Sequence, residues 1–215
     1  MKKILVIGAH PDDIEFGCGG TLLELAKRKF LITMYIATKG DVGGDPSIRV
    51  KEQQKSAEII GAELLWGSFF DTKLLNTKEL IDEIENVIKK VVPDFIFVNF
   101  YDDTHQDHVS LSKATITAAR YINNLLFYET PTSRNFYPKI FVDIGDVMNK
   151  KIVLLKTHSS QLNKTRVKNL LITESAKSTA IFRGYQARVK YAEGFDSERL
   201  LLNILCLKGY QYLLL

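Results

Sequence analysis

Ile4-Leu5-Val6-Ile7-Gly8-Ala9-His10-Pro11-Asp12-Asp13, followed by Gly17-Cys18-Gly19-Gly20, decides how the rest of the chain is read. The apolar run has basic residues before it and glycine after it, with no polar break, as in a buried strand of a parallel sheet. A histidine and two carboxylates then stand where that strand ends. In open α/β sheets, ligands bind at the carboxyl ends of strands. Thr21–Arg28 has helical composition and completes a strand–turn–helix unit.

The same rhythm continues. Leu31–Thr38 reads as a second strand, and Lys39–Pro46 as a turn-rich loop. A helix is expected from a Ser47 cap to Ile60, stopped by Gly61. Further strands are expected at Glu63–Trp66, Phe95–Val98, Leu125–Tyr128 and Ile140–Asp143. Further helices are expected from Asn76 or Thr77 to Pro93, from the polar stretch after Asn99 to about Tyr121, and over Asp146–Thr157 and Thr165–Phe182. The last thirty residues are mixed in character. Alternating strands and helices predict an α/β fold, a Rossmann-like three-layer α/β/α sandwich with a mostly parallel sheet. With no repeat, linker or low-complexity tract, the whole of 1–215 is expected to form a single domain.

Composition narrows the function. The 215 residues carry a net charge of +4, from 29 basic and 25 acidic side chains, too mild and too evenly spread for nucleic acid. Nothing is long and apolar enough to span a bilayer, and Met1–Ile7 is too short for a secretory leader. Two cysteines, Cys18 and Cys206, are no disulfide framework, so a reducing cytoplasm is expected. The apolar tail, Leu213-Leu214-Leu215, is expected to pack on the body or on another subunit. The turn after the first strand lacks the later glycines of a dinucleotide fingerprint, and Asp12 and Asp13 would repel a pyrophosphate.

Metal chemistry suits the residues better. Imidazole and carboxylate are ligands for a borderline metal such as zinc, and a three-residue step brings His10 and Asp13 to one side of the turn. Asp12 then faces elsewhere, free for proton transfer. Alone, either aspartate reads as an ordinary helix N-cap. A second cluster, His105-Gln106-Asp107-His108, follows the end of another strand and holds two of the chain's four histidines. His10, Asp13 and one of His105 or His108 make three protein ligands, the number that leaves a catalytic zinc an open position. Spacing does not choose between the two histidines.

With both clusters in place, the chain resembles the PIG-L/LmbE-type zinc-dependent de-N-acetylases. The resemblance runs over nearly the whole length. It rests on Ala9-His10-Pro11-Asp12-Asp13 and His105-Gln106-Asp107-His108, supported by the Thr38–Gly44 loop, Arg49 with Glu52, His158-Ser159-Ser160-Gln161, Arg183-Gly184 and Tyr191-Ala192-Glu193-Gly194-Phe195. It implies that His10, Asp13 and His108 bind one zinc per subunit. It implies Asp12 as general base and His105, held by Asp107, as the group that stabilises the tetrahedral intermediate. Arg49 would reach the substrate, although its spacing to Glu52 also reads as a surface ion pair. His158 would line the pocket. Tyr191 would approach the oxyanion, against its plainer reading as a core aromatic. The implied activity is hydrolysis of the acetamide of a small N-acetylated sugar or glycoside, by a homo-oligomer such as a hexamer. Fe(II) and Co(II) share such ligands. The rivals are a metal-dependent amidase acting on a non-sugar substrate, and a non-catalytic α/β protein that binds a sugar or nucleotide.

Overall fold

The computed structural model describes residues 1–201. The apolar tail and Cys206 lie outside the described residues. Strand β1 is Lys3–Gly8, and helix α1, Asp13–Lys27, follows after only the four residues that carry the His-Pro-Asp motif. Next come β2 (Leu31–Thr38), α2 (Pro46–Ile60), β3 (Glu63–Phe69), α3 (Lys78–Val91), β4 (Phe95–Asn99) and α4 (Gln106–Ala118). The chain continues with β5 (Leu125–Tyr128), β6 (Ile140–Asp143), α5 (Met148–Thr157), α6 (Ile172–Ala187) and β7 (Ala192–Arg199).

The strands form one sheet in the order β3-β2-β1-β4-β5-β7-β6. The first five are parallel; β7 runs antiparallel to both β5 and β6. Because side chains alternate along a strand, β1 feeds two cores at once. Ile4 and Val6 pack with α1, α2, α5 and α6 on one face, while Leu5 and Ile7 pack with α3 and α4 on the other. Each of these four is at most 1% exposed, and full burial of such a side chain stabilises the fold by about 1.5–3 kcal/mol. This is the expected α/β/α sandwich. No helix among the described residues is long and apolar enough to cross a membrane.

Four local expectations need correction. The first helix starts at Asp13, not Thr21, and is kinked at Cys18 (φ −141°). It lies so close to the sheet that a Cβ on Gly17 would stand 2.1 Å from the Tyr128 ring. Beyond the kink the helix restarts on a carboxylate from β7: Glu193 accepts from Gly20 N at 2.8 Å and Thr21 N at 2.6 Å. Lys151 of α5 spans the break, donating to Glu193 Oε1 at 2.5 Å and to Phe16 O at 2.6 Å.

Helix α2 is capped by Asp45, which accepts from Ser47 N at 2.8 Å, and Pro46 takes its first turn. Helix α6 begins at Ile172 rather than Thr165. Arg166 and Asn169 hold left-handed φ angles of 59° and 60°, and Glu174 accepts from Leu171 N at 2.9 Å, which sets the start. Finally, the mixed tail contains β7, whose first four residues are buried although the strand carries four charged side chains among its eight residues.

Candidate metal centre

Strands β1 and β4 are neighbours, and the chain leaves them for opposite faces of the sheet, opening a crevice beyond their carboxyl ends. The β1 turn brings His10, Asp12 and Asp13 to that crevice. The β4 turn brings Asp103, His105 and the first turn of α4. His105 is the N-cap of α4, and its Nδ1 accepts from Asp107 N at 3.2 Å. The three imidazoles cluster, with ring centroids 4.6 Å apart for His10–His105, 5.4 Å for His10–His108 and 4.8 Å for His105–His108.

Carboxylates fix the state of two of these rings, His10 and His108. His10 Nε2 lies 3.0 Å from Asp107 Oδ2 and 3.0 Å from Asp71 Oδ1. His108 Nδ1 lies 3.2 Å from Asp103 Oδ2. A neutral imidazole therefore keeps its proton on those nitrogens. The other nitrogens, His10 Nδ1 and His108 Nε2, then point lone pairs toward one atom, Asp13 Oδ2, at 3.4 and 3.2 Å. Asp13 Oδ2 is itself oriented by His10 N at 2.9 Å. Three acceptors meet with no donor between them, and buried His108 Nε2 has no hydrogen-bond partner. A divalent cation satisfies such a set, and two imidazoles with one carboxylate suit a borderline metal.

Without a metal, protons take its place. Against burial, Asp13 and Asp103 push the His108 pKa up to about 9, and carboxylate hydrogen bonds likewise raise His10. Burial opposes, but His108 and His10 draw Asp13 well below the ordinary carboxylate range.

All three histidines bring nitrogens within 4.8 Å of one another, so distance alone leaves His105 a potential ligand. Hydrogen bonding distinguishes it. With Nδ1 accepting from the helix, neutral His105 carries its proton on Nε2 and offers a donor rather than a lone pair. Burial and the neighbouring His10 and His108 hold its pKa below the usual histidine value.

Asp12 sits at φ 94°, a left-handed conformation that a non-glycine residue adopts only under strain. Its carboxyl lines a cavity of about 450 Å³ shared with the histidines. Burial pushes its pKa up to about 6, against the opposing charges of Arg49 and His158. Arg49 is 4% exposed and is spent on the backbone, donating to Pro11 O at 2.6 Å and Gly40 O at 2.9 Å, with Asp12 Oδ1 at 3.5 Å. The surface-pair reading of Arg49 with Glu52 is therefore wrong. Glu52 turns instead to Ser159 Oγ and to Ser160 N and Oγ, at 2.7–2.9 Å.

His158 does line the cavity, with Nε2 3.5 Å from Glu15 Oε1. That carboxylate is fixed by Gln53 at 2.7 Å and Ser56 at 2.5 Å. Two expected roles are not met. Asp107 does not hold His105 with its carboxylate. Its oxygens face His10 Nε2, Thr72 N at 2.7 Å and Leu74 N at 3.2 Å, because the first turn of α4 directs them toward the loop after β3. Tyr191 does not join the cavity; it packs against the core on the α1 face under Lys190.

Sequence reasoning missed Asp71, Asp103 and Glu15. Asp71 also accepts from Val42 N at 3.1 Å and Gly43 N at 3.3 Å, tying His10 to the glycine-rich loop. Asp103 is held by Thr130 at 2.8 Å and Ser133 at 3.1 Å. Only Asp103 carried a hint, its closeness to His105.

Comparison with known proteins adds an independent line. A family model described as PIG-L, GlcNAc-PI de-N-acetylase, matches residues 5–119. An Escherichia coli protein named uncharacterized deacetylase YaiS is 36% identical over 169 residues, covering 74% of this chain and 91% of its own. The diacetylchitobiose deacetylase of Thermococcus kodakarensis is 30% identical, covering 90% and 82%. Among solved structures, the conserved protein TT1542 of Thermus thermophilus superposes with a TM-score of 0.84 at 25% identity, covering 94% and 97%. GalB of Pseudomonas putida, a 4-carboxy-2-hydroxymuconate hydratase, shares the fold at a TM-score of 0.81 and 20% identity, covering 94% and 98%.

Proposed function

The chain belongs to the PIG-L (GlcNAc-PI de-N-acetylase) family, and from that premise we propose that it is a zinc-dependent hydrolase that removes the acetyl group of an N-acetylated amino sugar or glycoside. The observation that carries this reading is the convergence of His10 Nδ1 and His108 Nε2 on Asp13 Oδ2, flanked by a strained carboxylate and a protonated imidazole nitrogen.

His10, Asp13 and His108 would hold the metal, which supplies the Lewis acidity that makes water acidic and an amide carbonyl electrophilic. Asp12 takes the proton from the attacking water. Its elevated pKa suits a group that must accept a proton and later release it to the departing amine. His105 Nε2–H donates to the carbonyl oxygen as negative charge develops there. Arg49 holds Pro11 O and faces Asp12, so its contribution is to keep the base in place and ionised. His158 offers a further donor along the cavity wall. The products are acetate and a free amine.

The test is amine release from a panel of N-acetylglucosamine glycosides by zinc-loaded protein, beside its Asp12→Ala variant. Loss of the base should cost about 10²–10⁴-fold in turnover with metal content unchanged. A loaded wild type silent on sugar acetamides and on a broader N-acyl panel would end the deacetylase reading.

A further inference from the structure

Asp12 stands at the N-cap of α1 and is a residue type that caps helices well, yet among the described residues its side chain makes no capping bond. The reason lies in its backbone. Asp13 N donates to His10 O at 3.4 Å, closing a turn over Pro11 and Asp12. With φ 94° and ψ −23°, Asp12 holds the third position of a type II turn, where glycine is usual. Proline serves the second position of type I as well, and aspartate fits the third position of type I without strain. The two turn types differ by a half-turn of the peptide between those residues. The orientation of the Pro11–Asp12 peptide therefore sets the direction of the Asp12 side chain.

Helix α2 grips that one peptide at both ends. Arg49 donates to its carbonyl, Pro11 O, at 2.6 Å. One turn further along, Gln53 Oε1 accepts from its N–H, Asp12 N, at 3.3 Å. A flip to type I breaks both bonds at once. Gln53 is fully buried, and its amide has one orientation. Nε2 donates at 2.7 Å to Glu15 Oε1, a carboxylate that cannot donate in return, so Oε1 is left for Asp12. Ser56 Oγ fixes the same Glu15 oxygen at 2.5 Å. Arg49, Glu52, Gln53 and Ser56 thus form a buried polar stripe where an amphipathic helix would bury apolar side chains. Polar groups so buried are costly unless each finds a partner, and two of these four find theirs on the turn that carries the base.

Resting on the deacetylase reading, we propose that Gln53 is a positioning residue: oriented by Glu15, it holds the Pro11–Asp12 peptide in the type II orientation that presents the base to the cavity. Arg49 and Gln53 act on opposite ends of the same peptide, so the strain at Asp12 is balanced by a clamp rather than by packing alone. If Gln53 merely satisfied Glu15 and packed α2 on α1, its removal would cost stability but leave the turn, and hence kcat, unchanged.

Two readouts on the zinc-loaded protein provide the test, one of them without turnover. Gln53→Met keeps the length of the side chain and removes its acceptor. Hydrogen exchange of the Asp12 amide, followed by NMR, should then speed up about tenfold, the worth of one lost hydrogen bond. At saturating N-acetylglucosamine glycoside, kcat should fall about 100-fold while KM and zinc content stay within about twofold, since a displaced base impairs chemistry and not binding. The pair Glu15→Gln/Gln53→Glu exchanges amide and carboxylate, keeping one bond between them and an acceptor for Asp12 N. It should restore both the exchange protection and most of kcat, whereas Gln53→Glu alone sets two carboxylates face to face and should restore neither. Full kcat in Gln53→Met overturns the proposal. So does an exchanged pair that folds and holds zinc but stays as slow as Gln53→Met, and this pair decides if Gln53→Met does not fold. A wild type silent on every amide refutes the deacetylase reading, whereas unchanged exchange at Asp12 in Gln53→Met refutes the clamp.

Discussion

Replacing Asp107 by asparagine tests the architecture around His10. The carboxylate serves three donors at once: Oδ2 faces His10 Nε2 at 3.0 Å and Thr72 N at 2.7 Å, and Oδ1 faces Leu74 N at 3.2 Å. An asparagine has one oxygen. If it occupies the Oδ2 place, its NH₂ meets Leu74 N–H head on. If it flips, the NH₂ meets His10 and Thr72, and the proton that should rest on Nε2 loses its acceptor. The imidazole is then free to carry that proton on Nδ1, the nitrogen needed for metal. Loss of such a supporting carboxylate typically weakens metal binding about 10–100-fold, or about 1.4–2.8 kcal/mol. Asp71, also 3.0 Å from Nε2, keeps the loss within that range, so Asp71→Asn/Asp107→Asn together should exceed either single change. Competition against a chromophoric chelator measures all four proteins. Wild-type affinity in Asp107→Asn, with only the rate constant reduced, would refute this reasoning and return Asp107 to the support of His105.

Two further outcomes follow from contacts already described. Arg49→Met removes the charge that holds the Asp12 pKa down, so the acid limb of kcat/KM should move to higher pH. The limb in the wild type should lie at or below about 6, because a bound cation lowers it further and activity is lost as Asp12 protonates on the acid side; an unmoved limb counts against Asp12 as base. Glu193→Ala strands Lys151 in the core and leaves the N–H groups of Gly20 and Thr21 without acceptors, which should cost about 3–5 kcal/mol in urea unfolding. The Lys151→Met/Glu193→Ala pair should cost less than the sum of its parts, and strict additivity would show that the two do not act as a unit.

The sequence showed most where chemistry is local. Both histidine motifs stand at strand ends recognisable from short apolar runs, and β2, β5 and β6 have their expected limits. What stayed hidden depends on distant partners. Glu193 looks like one acid among many in a charged stretch, yet it is 3% exposed because the restarted half of α1 and Lys151 close on it. Asp71 stands alone after β3, and nothing nearby says that His10, 61 positions earlier, will find it. Asp107 shows the opposite failure. Its place in the motif suggested the neighbouring histidine, whereas an N-terminal helix position turns its side chain away from its own cap.

The strand order has a consequence for how the molecule is made. Among the described residues, strand β6, residues 140–143, joins the sheet only through β7, residues 192–199, which is synthesised after it. On the ribosome, β6 must therefore wait some fifty residues, about 3–10 s at ordinary elongation rates, before its docking partner emerges. The same strand delivers Glu193, on which the second half of α1 starts, so the helix that presents Asp13 acquires its full support only after β7 has emerged, some 180 residues behind Asp13. Metal loading is expected to follow β7: nascent chains arrested before residue 192 should bind metal weakly, and chains released beyond residue 199 should bind it tightly.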